Sequence, residues 1–328
     1  MVGADCCVEG VLGVLDVVLV VQAERRTLQI TIVRVSDNCF IRYGSIFLRM
    51  TNWIVIAIVG GLASNLSNFL VRVLLKDGDD ATAYAWFNEV FRLIFFSIVS
   101  IFTFRLVFDT RGFLLLLGLG IAELFGIYAV VKMHAYSDLS ISTIVSRTRL
   151  IWIPIIAFIV YRELLTPIEY LGMAILFVGL VTVSSPKKII VDKGIKYAYV
   201  GAVFVAIVNV MLKMVAPYAS TSMIMVVLSL PSVFLFPILM KDSRHRIKVS
   251  LTTKMPLKIF IGLVTAVATY MLASAISMGP VSIVTALYQS MMVTSVIAGI
   301  VVLKEREDIG KKIVGCLIAL VGVLLLTG

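Results

Sequence analysis

From about residue 53 onward, long apolar runs alternate with short polar breaks. Ten runs stand out, at about 53–76, 82–104, 113–134, 138–161, 167–185, 196–217, 219–240, 257–277, 280–303 and 309–327. Each comes close to the ~20 residues that a helix needs to cross hydrocarbon. None shows the ~10-residue alternation of an outer-membrane strand. A backbone in lipid must satisfy its own hydrogen bonds, so the pattern predicts an all-α integral membrane protein of ten transmembrane helices. The breaks leave no room for a separate soluble domain.

Residues 1–49 do not share this pattern. "VLGVLDVVLVV" (11–21) is too short to span and contains Asp16. A secretory signal begins with basic residues, whereas Asp5 and Glu9 come first here. "TLQITIVRV" alternates like a strand but has no evident partner strand. The expectation is a leader that is non-native or disordered, with translation starting at Met50.

The remainder contains an internal repeat. With residue n set against n+142, the segment 125–163 lies on 267–305 without a gap. Tyr128 meets Tyr270, Ser140 meets Ser282, Thr143 meets Thr285 and Glu163 meets Glu305. One residue further, Gly172 and Gly179 correspond to Gly315 and Gly322; at offset 141, Gly60, Asn68 and Arg72 meet Gly201, Asn209 and Lys213. The two units are 50–186 and 187–328, with five predicted helices each. Because five is odd, the second unit must enter the membrane from the opposite side. Inverted repeats of this kind characterise many secondary transporters, with a site near the midplane.

Two stretches carry a resemblance: "AYSDLSISTIVSRTRLIWIPIIAFIVYRELLTPIEYLGMAILFVGLVTVSS" and "SMGPVSIVTALYQSMMVTSVIAGIVVLKEREDIGKKIVGCLIALVGVLLL". Both resemble the EamA-type repeat of the drug/metabolite transporter superfamily: a small-residue helix ending in Glu (Glu163, Glu305), then a glycine-containing helix (Gly172 and Gly179; Gly315 and Gly322). Arg92 stands where that family often carries an arginine. Arg162 and Lys304 replace the usual glycine before the terminal Glu. The expected proline of the fourth and ninth helices is displaced (Pro154) or absent. The resemblance implies a ten-helix solute transporter whose cavity is lined mainly by helices 1, 3, 4, 6, 8 and 9.

Composition agrees with the pattern: 60% of residues are apolar and 15% charged, against about 45–50% and 25% in soluble domains. The formal charge of +10 gathers in a few loops. Such loops fit asymmetric membrane-side charge rather than a nucleic-acid surface. The crowded side holds Lys76, the 187–196 and 241–258 stretches, and Lys304 to Lys312. The other side holds only Arg105, Arg111 and Arg162. The positive-inside rule places the crowded side in the cytoplasm and both ends of the ten-helix body outside. The expected location is the cell (inner) membrane, multi-pass. Four cysteines show no ligand or disulfide spacing, so no metal or cofactor is expected. A homodimer stays open.

Most polar residues have a structural explanation. The paired glycines suit close helix packing. Glu163 and Glu305 suit capping and ion pairing at helix ends. Arg72, Lys132 and Lys213 lie near ends and can snorkel. His245, in "KDSRHRIK", reads as part of a basic loop. Five charges lie deeper: Glu89, Arg92, Glu123, Arg147 and Arg149. Glu89 and Arg92 are three apart on one helix and pair directly. Glu123 is expected to neutralise Arg149, leaving one arginine for solute. Arg147 is that candidate, because its repeat equivalent is Gln289, whereas Arg149 meets Met291. Asn68, Asn209, Tyr128 and Tyr270 complete the candidate cavity, with Thr269 and Ser274 on the second-half wall. A wall that is cationic on one side and neutral on the other suits a small solute with an anionic end.

Three function classes follow. The leading one is a secondary transporter, an exporter or permease for a small organic solute, coupled through Glu123 or Glu89. The second is an exchanger of nucleotide sugars or phosphorylated metabolites, which needs further deep cations in the second half. The third, a membrane-embedded lipid-phosphate enzyme, lacks an acid–base or metal cluster. No GxxxxGK[ST] loop is present for ATP-driven transport by this chain alone.

Overall fold

The structure, a computed structural model, describes residues 17–24, 27–34, 39–76, 78–107, 109–136, 145, 147–184, 193–294 and 308–327. The chain divides into two compact units, Met1–Asn52 and Trp53–Gly328.

In the first unit, β1 (Val17–Glu24) pairs antiparallel with β2 (Thr27–Arg34), Val17 opposite Arg34 and Glu24 opposite Thr27. The partner strand missing from the sequence reading is therefore "VVLVVQAE". Its unbroken valine-rich run hides the alternation by which a strand is recognised, although β-branched residues favour a pleated backbone.

The helices are α1 (Cys39–Lys76), α2 (Ala81–Thr103), α3 (Thr110–Tyr136), α4 (Arg149–Tyr161), α5 (Pro167–Ser184), α6 (Lys193–Val215), α7 (Thr221–Leu239), α8 (Ser243–Thr252), α9 (Met255–Met278), α10 (Val281–Ser290) and α11 (Ile309–Thr327). Among the described residues seven are long and apolar enough to cross a membrane, and three apolar ones are shorter: Arg149–Tyr161, Pro167–Val183 and Val281–Thr294. The shortfall from ten full-length spans falls mainly on the predicted helices 138–161 and 280–303. Part of each (138–144 and 146; 295–303) lies outside the described residues, and the described part is interrupted. α1 starts at Cys39, well before residue 53, so Met50 lies inside a helix. α8 is a further element: the stretch read as a basic loop is helical.

Small residues fill the centre. Ala57, Ala157, Ala206, Ala266, Ala286 and Ala319 are fully buried, while Phe102, Ile238 and Ile101 are 84%, 79% and 74% exposed on the outside. Within a membrane, helices associate through close packing of small residues while large apolar side chains face lipid. The paired glycines serve this purpose. A Cβ on Gly172 would lie 2.9 Å from the Gly322 carbonyl, and one on Gly179 2.5 Å from the Ala319 nitrogen. Either addition would push α5 and α11 apart.

The pairing of helices follows the repeat. α2 lies antiparallel to its equivalent α7: Thr103 Oγ1 is 2.8 Å from Ser222 Oγ, and Trp86 Nε1 donates to the Val233 carbonyl. α1 meets α9 through Ser67 and Thr265, and their equivalents α6 and α3 meet through Phe204 and Phe125. The antiparallel α2–α7 contact is what opposite entry of the two halves produces.

Candidate functional site

The polar centre forms where α4 and α10 are interrupted. Val145 and Arg147 are helical, Thr148 forms a turn, and α4 begins at Arg149. In the other half α10 stops at Ser290, Met291 forms a turn, and 292–294 are helical again. Thr148 and Ser290 are equivalent at the repeat offset of 142. Each hydroxyl turns back on the carbonyl three residues earlier: Thr148 Oγ1 to Val145 O at 2.7 Å, Ser290 Oγ to Leu287 O at 2.7 Å. Such back-bonding competes with the helical ladder. Interrupted helices at membrane depth are tolerated where they are buried in protein or line a cavity.

Arg149 stands at the first break and reaches the second half, its Nε donating to Gln289 Oε1 at 2.8 Å. Among the described residues no carboxylate lies within ion-pair distance of it. Tyr288 directly precedes Gln289 on α10. α1 approaches closely here, since a Cβ on Gly61 would fall 2.6 Å from the Tyr288 carbonyl. Arg147 instead directs an Nη toward Met292 Sδ at 2.6 Å.

Glu89 and Arg92 form the expected ion pair, 2.8 Å apart and buried. Each keeps a buried polar atom, Glu89 Oε2 and Arg92 Nε, with no hydrogen-bond partner among the described residues. Glu123, on α3, is half-buried. The expected Glu123–Arg149 ion pair is not formed. The repeat offset identifies equivalent residues, not touching ones.

The other expected residues make contacts of their own. Tyr270 stacks on Phe96, with ring centroids at 6.1 Å. Tyr128 meets Tyr197 edge-on, with Lys132 Nζ 5.6 Å from its ring centre. Asn209 is buried and Asn68 is exposed, so the matched asparagines have different surroundings. Arg72's side chain and Glu305 lie outside the described residues.

A second polar cluster lies at the far ends of these helices. Glu163 accepts the Val281 and Ser282 N–H groups at 3.1 and 3.0 Å, capping α10. A carboxylate satisfies orphan donors there and suits the helix dipole. Lys213 does not snorkel outward; it donates to the Gly279 carbonyl at 2.8 Å. Arg162, the non-glycine before Glu163, has φ 56° and ψ 32°, the left-handed conformation that glycine adopts at least cost. Thr148 and Ser290 were missed by sequence reasoning, although matched hydroxyls at one repeat position were a readable signal.

The model of the EamA-like transporter family matches twice, over residues 51–185 and 192–328. A solved structure described only as the crystal structure of a protein is similar over 83% of this chain and 96% of its own, at 14% identity and a TM-score of 0.62. That likeness concerns the fold alone. No curated protein matches.

Proposed function

The chain belongs to the EamA-like transporter family of membrane transporters for small solutes, and from that premise we propose that it carries a small organic solute with an anionic group, by alternating access through the polar centre. The observation that carries this reading is the Arg149–Gln289 hydrogen bond between the two interrupted helices. A guanidinium at membrane depth is costly and is usually retained for a task. Arg149 spends one of its five N–H donors on a neutral amide, and the others are not engaged by described residues. Their fork geometry suits a carboxylate or phosphate. The solute would then bridge the halves, and a change in their relative tilt would expose it to either side.

Glu123, the deep carboxylate outside the Glu89–Arg92 pair, is the group we assign to coupling. Uptake into proteoliposomes from a panel of amino acids, carboxylates and phosphorylated metabolites, with and without a pH gradient, tests the proposal. Arg149→Gln should keep its fold and weaken uptake of the anionic solute about 10- to 100-fold, the loss of one charge-assisted contact. Normal uptake by Arg149→Gln would overturn the assignment, as would a transported panel confined to cations.

A further inference from the structure

α8 is the built feature that transport through the centre leaves unused. It is a polar ten-residue helix between two helices of membrane length, α7 ending at Leu239 and α9 beginning at Met255. That position puts α8 where hydrocarbon gives way to headgroups. The exposed Ile238 before it and Ile259 and Phe260 after it mark the adjoining apolar depth.

Its inner face is fixed by polar bonds. Arg246 grips both oxygens of Asp80, and Ser250 accepts Lys258 Nζ through its carbonyl at 2.6 Å and its hydroxyl at 2.9 Å. The outer face presents Arg244 and Lys248, both exposed and one helical turn apart, between Val249 (48% exposed) and Leu251 (39%). Like charges at this spacing repel within a helix. Asp242 is the single acid between residues 241 and 254. Arg246 and Lys258 already have carboxylates, so the cations facing outward are those left over for an external anion.

We propose that α8 is a docking surface for anionic phospholipid, with Arg244 and Lys248 holding a headgroup phosphate while Val249 and Leu251 rest at the edge of the acyl layer. Basic clusters adjoining a span attract acidic lipid, and apolar residues flanking them set the depth. Rigid attachment of the inner face makes the site pre-organised, and lipid bound there would brace the connection between α7 and α9.

The full chain in detergent is titrated with phosphatidylglycerol, phosphatidylcholine or inorganic phosphate while its melting temperature is followed. Phosphatidylglycerol should raise the melting temperature, and the other two should not. Arg244→Gln with Lys248→Gln should melt like wild type without lipid, because both side chains are exposed, yet need about thirtyfold more phosphatidylglycerol for the same rise. Lys311→Gln with Lys312→Gln, elsewhere on the lysine-rich side, should respond like wild type. The proposal falls if phosphatidylcholine or free phosphate stabilises equally, or if the Lys311/Lys312 variant loses as much as the α8 variant. If the α8 variant is already destabilised without lipid, direct counting of bound phosphatidylglycerol by native mass spectrometry decides; equal occupancy in both proteins overturns the assignment.

Discussion

The turns that lead into α2 and α7 occupy equivalent places in the two halves and are secured by different chemistry. Before α2, Asp79 and Asp80 hold the opposite half through side chains: Asp79 meets Lys258 Nζ at 2.6 Å, and Asp80 meets Arg246. Before α7, the backbone does the work. Ser220 N donates to Arg105 O at 2.8 Å, Val107 N donates to Tyr218 O at 2.7 Å, and Leu106 and Ala219 form an antiparallel bridge. Backbone bonds survive nearly any substitution, whereas ion pairs depend on two residues each. The first corner is thus where a single mutation or a change of pH can loosen one end of the molecule and leave the other closed.

The largest effect is expected at the deepest pair. Lys258 is fully buried and the Asp79 side chain is 6% exposed. Lys258→Met would strand a buried carboxylate and remove the donor to Ser250, at a cost of about 3–5 kcal/mol. Adding Asp79→Asn should recover much of that loss, since the stranded charge is gone. Thermal unfolding of the three proteins in one detergent measures both steps. A Lys258→Met protein that melts like wild type would show that the first corner is not held by charge.

The sequence reading counted Lys258, at the very start of the 257–277 run, with the basic residues of the crowded side, and only the fold shows it sealed beneath α8. The same limit explains what was and was not legible elsewhere. Apolar runs located the helices because hydropathy measures transfer of side chains into lipid. They passed over the interruptions at Thr148 and Met291, where neither glycine nor proline interrupts the pattern. The repeat identified Arg147 and Gln289 as equivalents, yet Arg149 is the residue that touches Gln289. Local spacing was more dependable: Glu89 and Arg92, three apart, form their pair, and the seven-residue glycine spacing marks the α5–α11 contact. Interactions between distant segments, such as Glu163 capping α10, have no local signature.

A smaller effect separates the two functions of Asp80. It accepts Thr82 N and Ala83 N as the cap of α2 and also binds Arg246. Asp80→Asn keeps the cap, for which asparagine is equally suited, and loses the ion pair. With both side chains about one-third exposed (33% and 30%), the cost should stay below about 1 kcal/mol. The Arg246 hydrogen bond holds the Asp80 carboxyl below the ordinary aspartate range. A depressed acid contributes stability above its unfolded pKa of about 3.9 and loses it as pH falls through the lower folded value. The melting difference between wild type and Asp80→Asn should therefore be constant from neutral pH to about pH 4 and shrink below it. A difference that grows on acidification would contradict this.

The smallest effect is expected from Arg105→Gln. Arg105 is exposed, and its Nη2 donates to the Pro217 carbonyl at 2.9 Å. Removing that bond leaves every backbone link of the corner intact, because the Arg105 carbonyl that binds Ser220 N belongs to the main chain. Thr103 still meets Ser222, and the Tyr218 ring still covers Gly112, where an added Cβ would lie 2.6 Å from Cδ1. The change should stay within about 0.5 kcal/mol and be independent of pH, since no carboxylate takes part. Arg246→Gln, the same replacement at the opposite corner, removes both guanidinium bonds to Asp80 and should cost more. Measuring the two variants side by side, with and without 0.5 M salt as an arbitrary screening dose of about that strength, isolates side-chain from backbone restraint. Salt should lower the melting temperature of wild type and Arg105→Gln alike and affect Arg246→Gln less. Equal losses from the two substitutions would mean that the two corners are held in the same way after all.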